Sequence, residues 1–184
     1  MKNIINIAVV GLGQVGIYLL NELNTKKKII EFKTGKKINI VAVSARSISK
    51  KRRFKFNKKI FYKNPLEIFK KTRVDILFEA IGLSDGISKK VVEIALKNKT
   101  HVITPNKALI SKHGDYLGKL AEDNHVNLEF EASVAGGIPI LRTIKEGLAT
   151  NKIFKVYGIL NGTSNYILSE MRDSKDCFAN VLKK

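Results

Sequence analysis

Residues 4–16 read Ile-Ile-Asn-Ile-Ala-Val-Val-Gly-Leu-Gly-Gln-Val-Gly, and this stretch decides the fold. An apolar, β-branched run feeds straight into Gly-x-Gly-x-x-Gly, and residues 17–23 continue with helical character. The three-glycine pattern is weak by itself. Between a first strand and a first helix, however, it stands where a dinucleotide pyrophosphate rests on a helix N-terminus. Gly11 permits the tight turn, Gly13 lets the backbone approach the phosphates, and Gly16 lets helix and strand pack closely. Leu12, Gln14 and Val15 complete the loop. The competing interpretation is a glycine-rich turn in a parallel sheet that holds no ligand.

Working outward, strands and helices alternate. After the helix over 14–24 comes a basic stretch at 26–37, expected as a solvated loop. Further strands are expected over 38–44, 60–62, 74–79, 100–103 and 126–130. Between them, Asn64-Pro65 opens a short helix, Ser84-Asp85 caps a helix running to about Asn98, and residues 113–124 form another. Strands alternating with helices at these spacings argue for an α/β fold with a doubly wound, mostly parallel sheet. Past Glu131 the pattern changes. The bend Gly136-Gly137-Ile138-Pro139 launches a helix over 140–148, a strand is expected over 152–160, and Asn161-Gly162-Thr163-Ser164 caps a helix over 165–172. The first domain is therefore placed at 1–135, and 136–184 reads as the beginning of a second α/β domain.

Composition narrows the function classes. The chain has 184 residues, 44% of them hydrophobic, and no apolar run approaches the ~20 residues of a membrane span. Met1-Lys2 leads directly into the first strand, with no secretory or transit segment, and the single cysteine, Cys177, excludes an internal disulfide. A cytoplasmic protein is expected. The formal net charge of +18 is carried mostly by lysines scattered over loops, without the interleaved aromatics of an RNA-binding surface. No nucleic-acid partner is expected; residues 49–59 are the best phosphate-attracting patch.

Several residues could carry chemistry. An NAD site usually places an acidic residue at the end of the second strand, to bond the adenine-ribose hydroxyl. Here the sequence is Ser44-Ala45-Arg46-Ser47, followed by the basic cluster at 50–53. Arg46 can pair with a 2′-phosphate, which favours NADP (NADPH), with NAD as the alternative; Arg46 as a plain solvated residue is the other interpretation. Ile81 and Gly82 follow the fourth strand and Lys107 follows the fifth, where ligands of open α/β sheets bind. A lysine there can orient a nicotinamide or a substrate oxygen, or stand idle among many other lysines. Glu131 beside a glycine-rich bend offers oxygen ligands to a hard cation, or caps a helix. His101, His113 and His125 are not at metal-ligand spacing. Gly162-Thr163, at a turn into a helix, can hold a carboxylate through N–H and hydroxyl groups.

Four stretches together resemble the homoserine dehydrogenase family. They are Gly-Leu-Gly-Gln-Val-Gly at 11–16, His-Val-Ile-Thr-Pro-Asn-Lys-Ala-Leu at 101–109, Phe-Glu-Ala-Ser-Val-Ala-Gly-Gly-Ile-Pro-Ile at 130–140, and Gly-Ile-Leu-Asn-Gly-Thr-Ser-Asn-Tyr-Ile-Leu at 158–168. The resemblance implies a Rossmann-type cofactor domain joined to the start of a catalytic and dimerisation domain. It implies NADP-linked interconversion of L-homoserine and L-aspartate 4-semialdehyde, on the route to threonine, methionine and isoleucine. By motif position, Lys107 is similar to the family's lysine contacting cofactor and substrate. Glu131 with the backbone of Val134, Gly136 and Ile138 resembles its monovalent-cation site, usually sodium. Gly162 and Thr163 resemble part of the substrate cradle, and a homodimer is expected for a full-length member. In this family the Asp–Lys pair that transfers the proton lies downstream of the last motif, beyond Lys184. An incomplete chain is therefore expected, with a dinucleotide-binding module lacking catalytic activity as the alternative.

Overall fold

The computed structural model describes residues 3–48, 56–159 and 161–183; part of the basic stretch at 49–59, including the cluster at 50–53, lies outside them. The run after Asn3 forms strand β1 (Ile4–Val10), and Gly13 stands at the start of helix α1 (Gln14–Thr25). The basic stretch that follows is not a loop: it folds as helix α2 (Lys27–Thr34). No glycine or proline interrupts those residues, and Lys27 and Glu31 lie one turn apart at 3.9 Å. Gly35, with φ 64°, stops the helix, and the Ile38 N–H donates to Glu31 Oε1 at 2.8 Å, tying α2 to the next strand.

Strand β2 (Lys37–Ser44) is followed by the short β3 (Phe61–Tyr62) and a 3₁₀ turn at Pro65–Glu67 that runs into α3 (Ile68–Lys71). Then come β4 (Ile76–Glu79), α4 (Ile87–Lys97), β5 (His101–Ile103), α5 (Lys107–Asp123) and β6 (Leu128–Glu129). Two helix starts differ from expectation. Ser84-Asp85 does not cap α4; Gly86, with φ 64°, precedes it and supplies no side chain. The Asp85 carboxylate is engaged elsewhere, accepting from Lys112 Nζ at 2.7 Å and lying 2.8 Å from His113 Nε2 on α5. Helix α5 begins at Lys107 rather than near residue 113, because the Asn106 side chain accepts the Leu109 N–H at 3.1 Å.

The strands form one six-stranded sheet in the order β3-β2-β1-β4-β5-β6, every pair parallel. Alternate residues of β1 feed two cores, as the period of a strand requires. Ala8 and Val10 join a cluster with Val91, Leu96, Leu109 and Leu117 of α4 and α5, while Ile7 and Val9 join Leu20 of α1 on the other face. The sheet is therefore doubly wound. Chain order reverses between β1 and β4, which opens a crevice at their carboxyl ends. A 3₁₀ turn (Glu131–Ser133), a glycine bend and the short α6 (Ile140–Arg142) follow β6.

The chain divides into two compact units, Met1–Leu141 and Arg142–Lys184. In the second, a π-helical turn (Thr143–Gly147) stands in place of the continuous helix expected to residue 148. Helix α7 (Gly162–Ser174) is capped by Asn161, whose side chain accepts the Ser164 N–H at 2.8 Å, and α8 (Phe178–Val181) follows. Residues 152–159, where a strand was expected to run on to residue 160 (outside the described residues), carry no regular secondary structure, and Ile153, Phe154, Val156, Tyr157 and Ile159 are exposed. A strand needs a partner edge for its N–H and C=O groups. Among the described residues of this unit there is no other strand to provide one.

Candidate functional site

Because the sheet is parallel, the residues after β1, β2, β4, β5 and β6 all emerge at one edge. Gly11, Arg46, Ile81, Gly82, Lys107 and Glu131 are the residues the sequence reading singled out there.

At the centre of that edge the three glycines do different work. Gly11 has φ 96° and donates its N–H to the Ser44 carbonyl at 2.9 Å. A Cβ on Gly11 would run into the Ala80 carbonyl and the Ile81 nitrogen, so β1 meets the β4 exit in direct backbone contact. A Cβ on Gly16 would strike the Gly11 carbonyl, which is how the first turn of α1 comes to lie against the strand. Gly13 is the opposite case: a Cβ there meets nothing within 4 Å. It stands at the N-cap of α1 with no side-chain cap, and the first turn holds no acidic residue. Uncapped N–H groups and the helix dipole leave that end suited to an anion. Leu12 is buried beneath the turn, while Gln14 and Val15 are exposed around it.

Arg46 is exposed two residues beyond β2, on the β2 side of the crevice. No acidic side chain follows β2 up to Ile48. On the β4 side, Ile81 is half-buried and Gly82, with φ 89°, is exposed. Lys107 is the exposed first residue of α5.

Beneath these residues lies a polar cluster that the sequence reading missed. Glu79, at the end of β4, is fully buried. Its Oε1 accepts the Ile81 N–H at 2.8 Å and its Oε2 accepts the Thr104 hydroxyl at 2.6 Å. Asn106 Nδ2 lies 3.3 and 3.4 Å from the two carboxylate oxygens and donates to the Leu83 carbonyl at 2.9 Å. The Asn106 N–H donates to Thr104 Oγ1 at 3.1 Å. The available signal was Asn106 standing before Leu109, Leu117 and Ala121, an N-cap ahead of a helical apolar face. Nothing local marks Glu79.

Glu131 opens the 3₁₀ turn after β6, and its Oε1 accepts the Leu141 N–H at 3.2 Å, so it caps α6. Between the two, Ala135 has φ 49° and Gly137 φ 89°. A left-handed alanine is uncommon, and its presence beside Val134 and Gly136 marks a backbone held in place by its surroundings. The Ile138 carbonyl accepts the Ile140 N–H at 2.8 Å, which leaves it a second lone pair. One carboxylate with backbone carbonyls is an all-oxygen donor set of the kind hard cations take. Among the described residues no group of three or more His, Cys, Asp or Glu side chains could hold a metal ion. Gly162 and Thr163 are the exposed first residues of α7, in the second unit. Among the described residues no helix is long and apolar enough to cross a membrane.

Comparison with known proteins bears on the whole chain. Residues 11–131 match the family model of the homoserine dehydrogenase NAD-binding domain, and residues 139–184 match a second homoserine dehydrogenase model. A homoserine dehydrogenase of Neisseria gonorrhoeae is 41% identical over 98% of this chain, and one of Bacillus subtilis is 36% identical over 98%. The alignment spans 41% of each of those two relatives, about two fifths of their length. Among solved structures, a homoserine dehydrogenase from Thiobacillus denitrificans superposes with a TM-score of 0.81 at 35% identity, covering 100% of this chain and 42% of that one. The enzyme from S. aureus gives 0.78 at 37% identity, covering 98% and 43%.

Proposed function

The chain belongs to the homoserine dehydrogenase family, and from that premise we propose that it binds NADP and serves the interconversion of L-homoserine and L-aspartate 4-semialdehyde. The observation that carries the reading is the open, uncapped start of α1 at Gly13, beside the point where strand order reverses. The N–H groups of the first turn, Gly13 to Gly16, would hold the pyrophosphate, with Gly11, Leu12, Gln14 and Val15 shaping the loop. Arg46 would pair with the 2′-phosphate, and the absence of an acidic residue beside it removes the usual partner of an NAD ribose. Ile81 and Gly82 would line the nicotinamide half of the crevice.

The bound cofactor supplies a hydride acceptor for the carbinol carbon. Oxidation of the alcohol also releases the hydroxyl proton, which a nearby group must take. Lys107 is the proposed family-matched residue at this edge, orienting the substrate oxygen and the nicotinamide end. Glu131, with the carbonyls of Val134, Gly136 and Ile138, is the proposed sodium site. Gly162 and Thr163 are proposed as part of the substrate cradle on the strength of their motif. The domain assignment, 1–135 for cofactor and 136–184 for the start of the catalytic domain, belongs to the same proposal. So do homodimer formation, a cytoplasmic location, and a role in threonine, methionine and isoleucine biosynthesis.

A second reading, dinucleotide binding without turnover, rests on the same uncapped start of α1, which suits a dinucleotide by itself. Titration with NADPH, followed by nicotinamide fluorescence, tests the shared part of both readings. Formation of NADPH from NADP and L-homoserine separates them. Binding with turnover supports the enzyme, binding without turnover supports the module, and no binding removes the glycine assignment.

A further inference from the structure

We infer that Glu79 is a positioning residue for the nicotinamide side of the crevice: its buried carboxylate fastens the Ala80–Ile81 peptide to the start of the helix that carries Lys107. The inference rests on the dinucleotide reading above.

Glu79 is an unusual occupant of its place. It is 0% exposed, it lies in register with Val10 of β1, and no cationic side chain pairs with it among the described residues. A buried carboxylate without a counter-charge is costly unless hydrogen bonds replace its water. Its neighbours in β4, Leu77 and Phe78, show that apolar side chains suit the strand. The sheet does not require the charge, because β4 pairs through its backbone.

What the carboxylate does is join segments that sequence keeps apart. Oε1 holds the Ile81 N–H, Oε2 holds the Thr104 hydroxyl, and Asn106 Nδ2 reaches both oxygens. Asn106 in turn caps α5 through Leu109 and holds the loop after β4 through the Leu83 carbonyl. The Ala80–Ile81 peptide so held is the one against which Gly11 packs. One buried group thus sets the relative position of the glycine turn, the loop at 80–83 and the residue before Lys107. Every partner donates to the carboxylate, and an amide cannot accept from all of them: with Asn106 Nδ2 near both oxygens, Glu79→Gln sets one NH₂ group against another.

The test separates positioning from mere folding by using ligands that occupy different halves of the crevice. NADPH spans β1 to β4, whereas adenosine 2′,5′-bisphosphate needs only the β1–β2 side. Calorimetric titration of the parent chain and of Glu79→Gln with both ligands is expected to show NADPH affinity falling on the order of tenfold, the loss of one charge-assisted hydrogen bond. Affinity for the bisphosphate stays within about twofold, too small a change to reflect a lost hydrogen bond. Equal loss for both ligands, or for neither, overturns the inference and leaves the dinucleotide reading standing. Failure of the parent to bind either ligand overturns both. Should Glu79→Gln not fold, Thr104→Val is expected to show the same split, with Thr104→Ser restoring parental affinities because it keeps the hydroxyl. A split that Thr104→Ser fails to restore counts against the inference.

Discussion

Replacing Gly11 and Gly13 in turn by alanine separates the fold's demand for glycine from the ligand's. At Gly11 the new Cβ meets the Ala80 carbonyl, and φ is 96°. A positive φ costs a residue with a Cβ about 1–2 kcal/mol, and forcing a methyl into packed backbone costs about 1–3 kcal/mol more. Gly11→Ala is therefore expected to lose about 2–5 kcal/mol, a large part of the ~5–15 kcal/mol that holds a typical domain folded. At Gly13 the backbone is extended, φ −80° and ψ −163°, and the Cβ meets nothing within 4 Å. Alanine is a poorer N-cap than glycine by about 0.5–1 kcal/mol, and the loss of unfolded-state freedom returns about 0.4–1 kcal/mol. Gly13→Ala should leave stability within about 1 kcal/mol of the parent. Its methyl nevertheless enters the space where the pyrophosphate would lie, and an overpacking penalty of about 1–3 kcal/mol corresponds to a loss of NADPH affinity of roughly five- to 150-fold. Urea unfolding followed by circular dichroism measures the first quantity. The chain has no tryptophan, so NADPH fluorescence measures the second without interference from indole. If Gly13→Ala unfolds as easily as Gly11→Ala, or binds NADPH as tightly as the parent, the division of labour among the glycines is wrong.

Arg46→Ala is expected to weaken NADPH by roughly ten- to a hundredfold, the scale of lost charged hydrogen bonds, and to leave NADH nearly unchanged; equal losses for the two would remove Arg46 from the 2′-phosphate site. Asn106→Ala removes a helix cap and one donor to Glu79, and thermal unfolding should register a loss of about 1–3 kcal/mol. The hydrogen bond from Lys112, then those from His113 and Ser84, hold the Asp85 carboxyl well below the usual carboxylate range. A lowered folded-state value means that the ionised partner's contribution is complete above the unfolded value near 3.8 and fades as pH falls through the lower folded one. The gap in melting temperature between the parent and Asp85→Asn should accordingly be widest near neutral pH and shrink only below about 3.8; a gap that is constant with pH would show that the charge contributes nothing.

Sequence alone determined those features whose causes are local. An apolar run followed by Gly-x-Gly-x-x-Gly forms a strand, a turn with positive φ at Gly11, and a helix, because each step depends on residues a few positions apart. The same holds for β2 with Arg46 beyond it, and for the placing of Lys107 and Glu131 after successive strands. Composition misled where it outweighed spacing: the lysines of 26–37 suggested solvated loop, yet Lys27 and Glu31 sit one helical turn apart and the segment coils. A strand was expected over 152–160, but a strand requires a partner edge, and among the described residues of that unit none is present. Only the tertiary structure assigned Asp85 to α5 instead of α4, and only it made Glu79 the group that Ile81, Thr104 and Asn106 share. The reason is physical. Burial and hydrogen-bond partners across 25 or 27 positions arise when parallel strands align side by side, and no window of sequence contains both ends of such a bond.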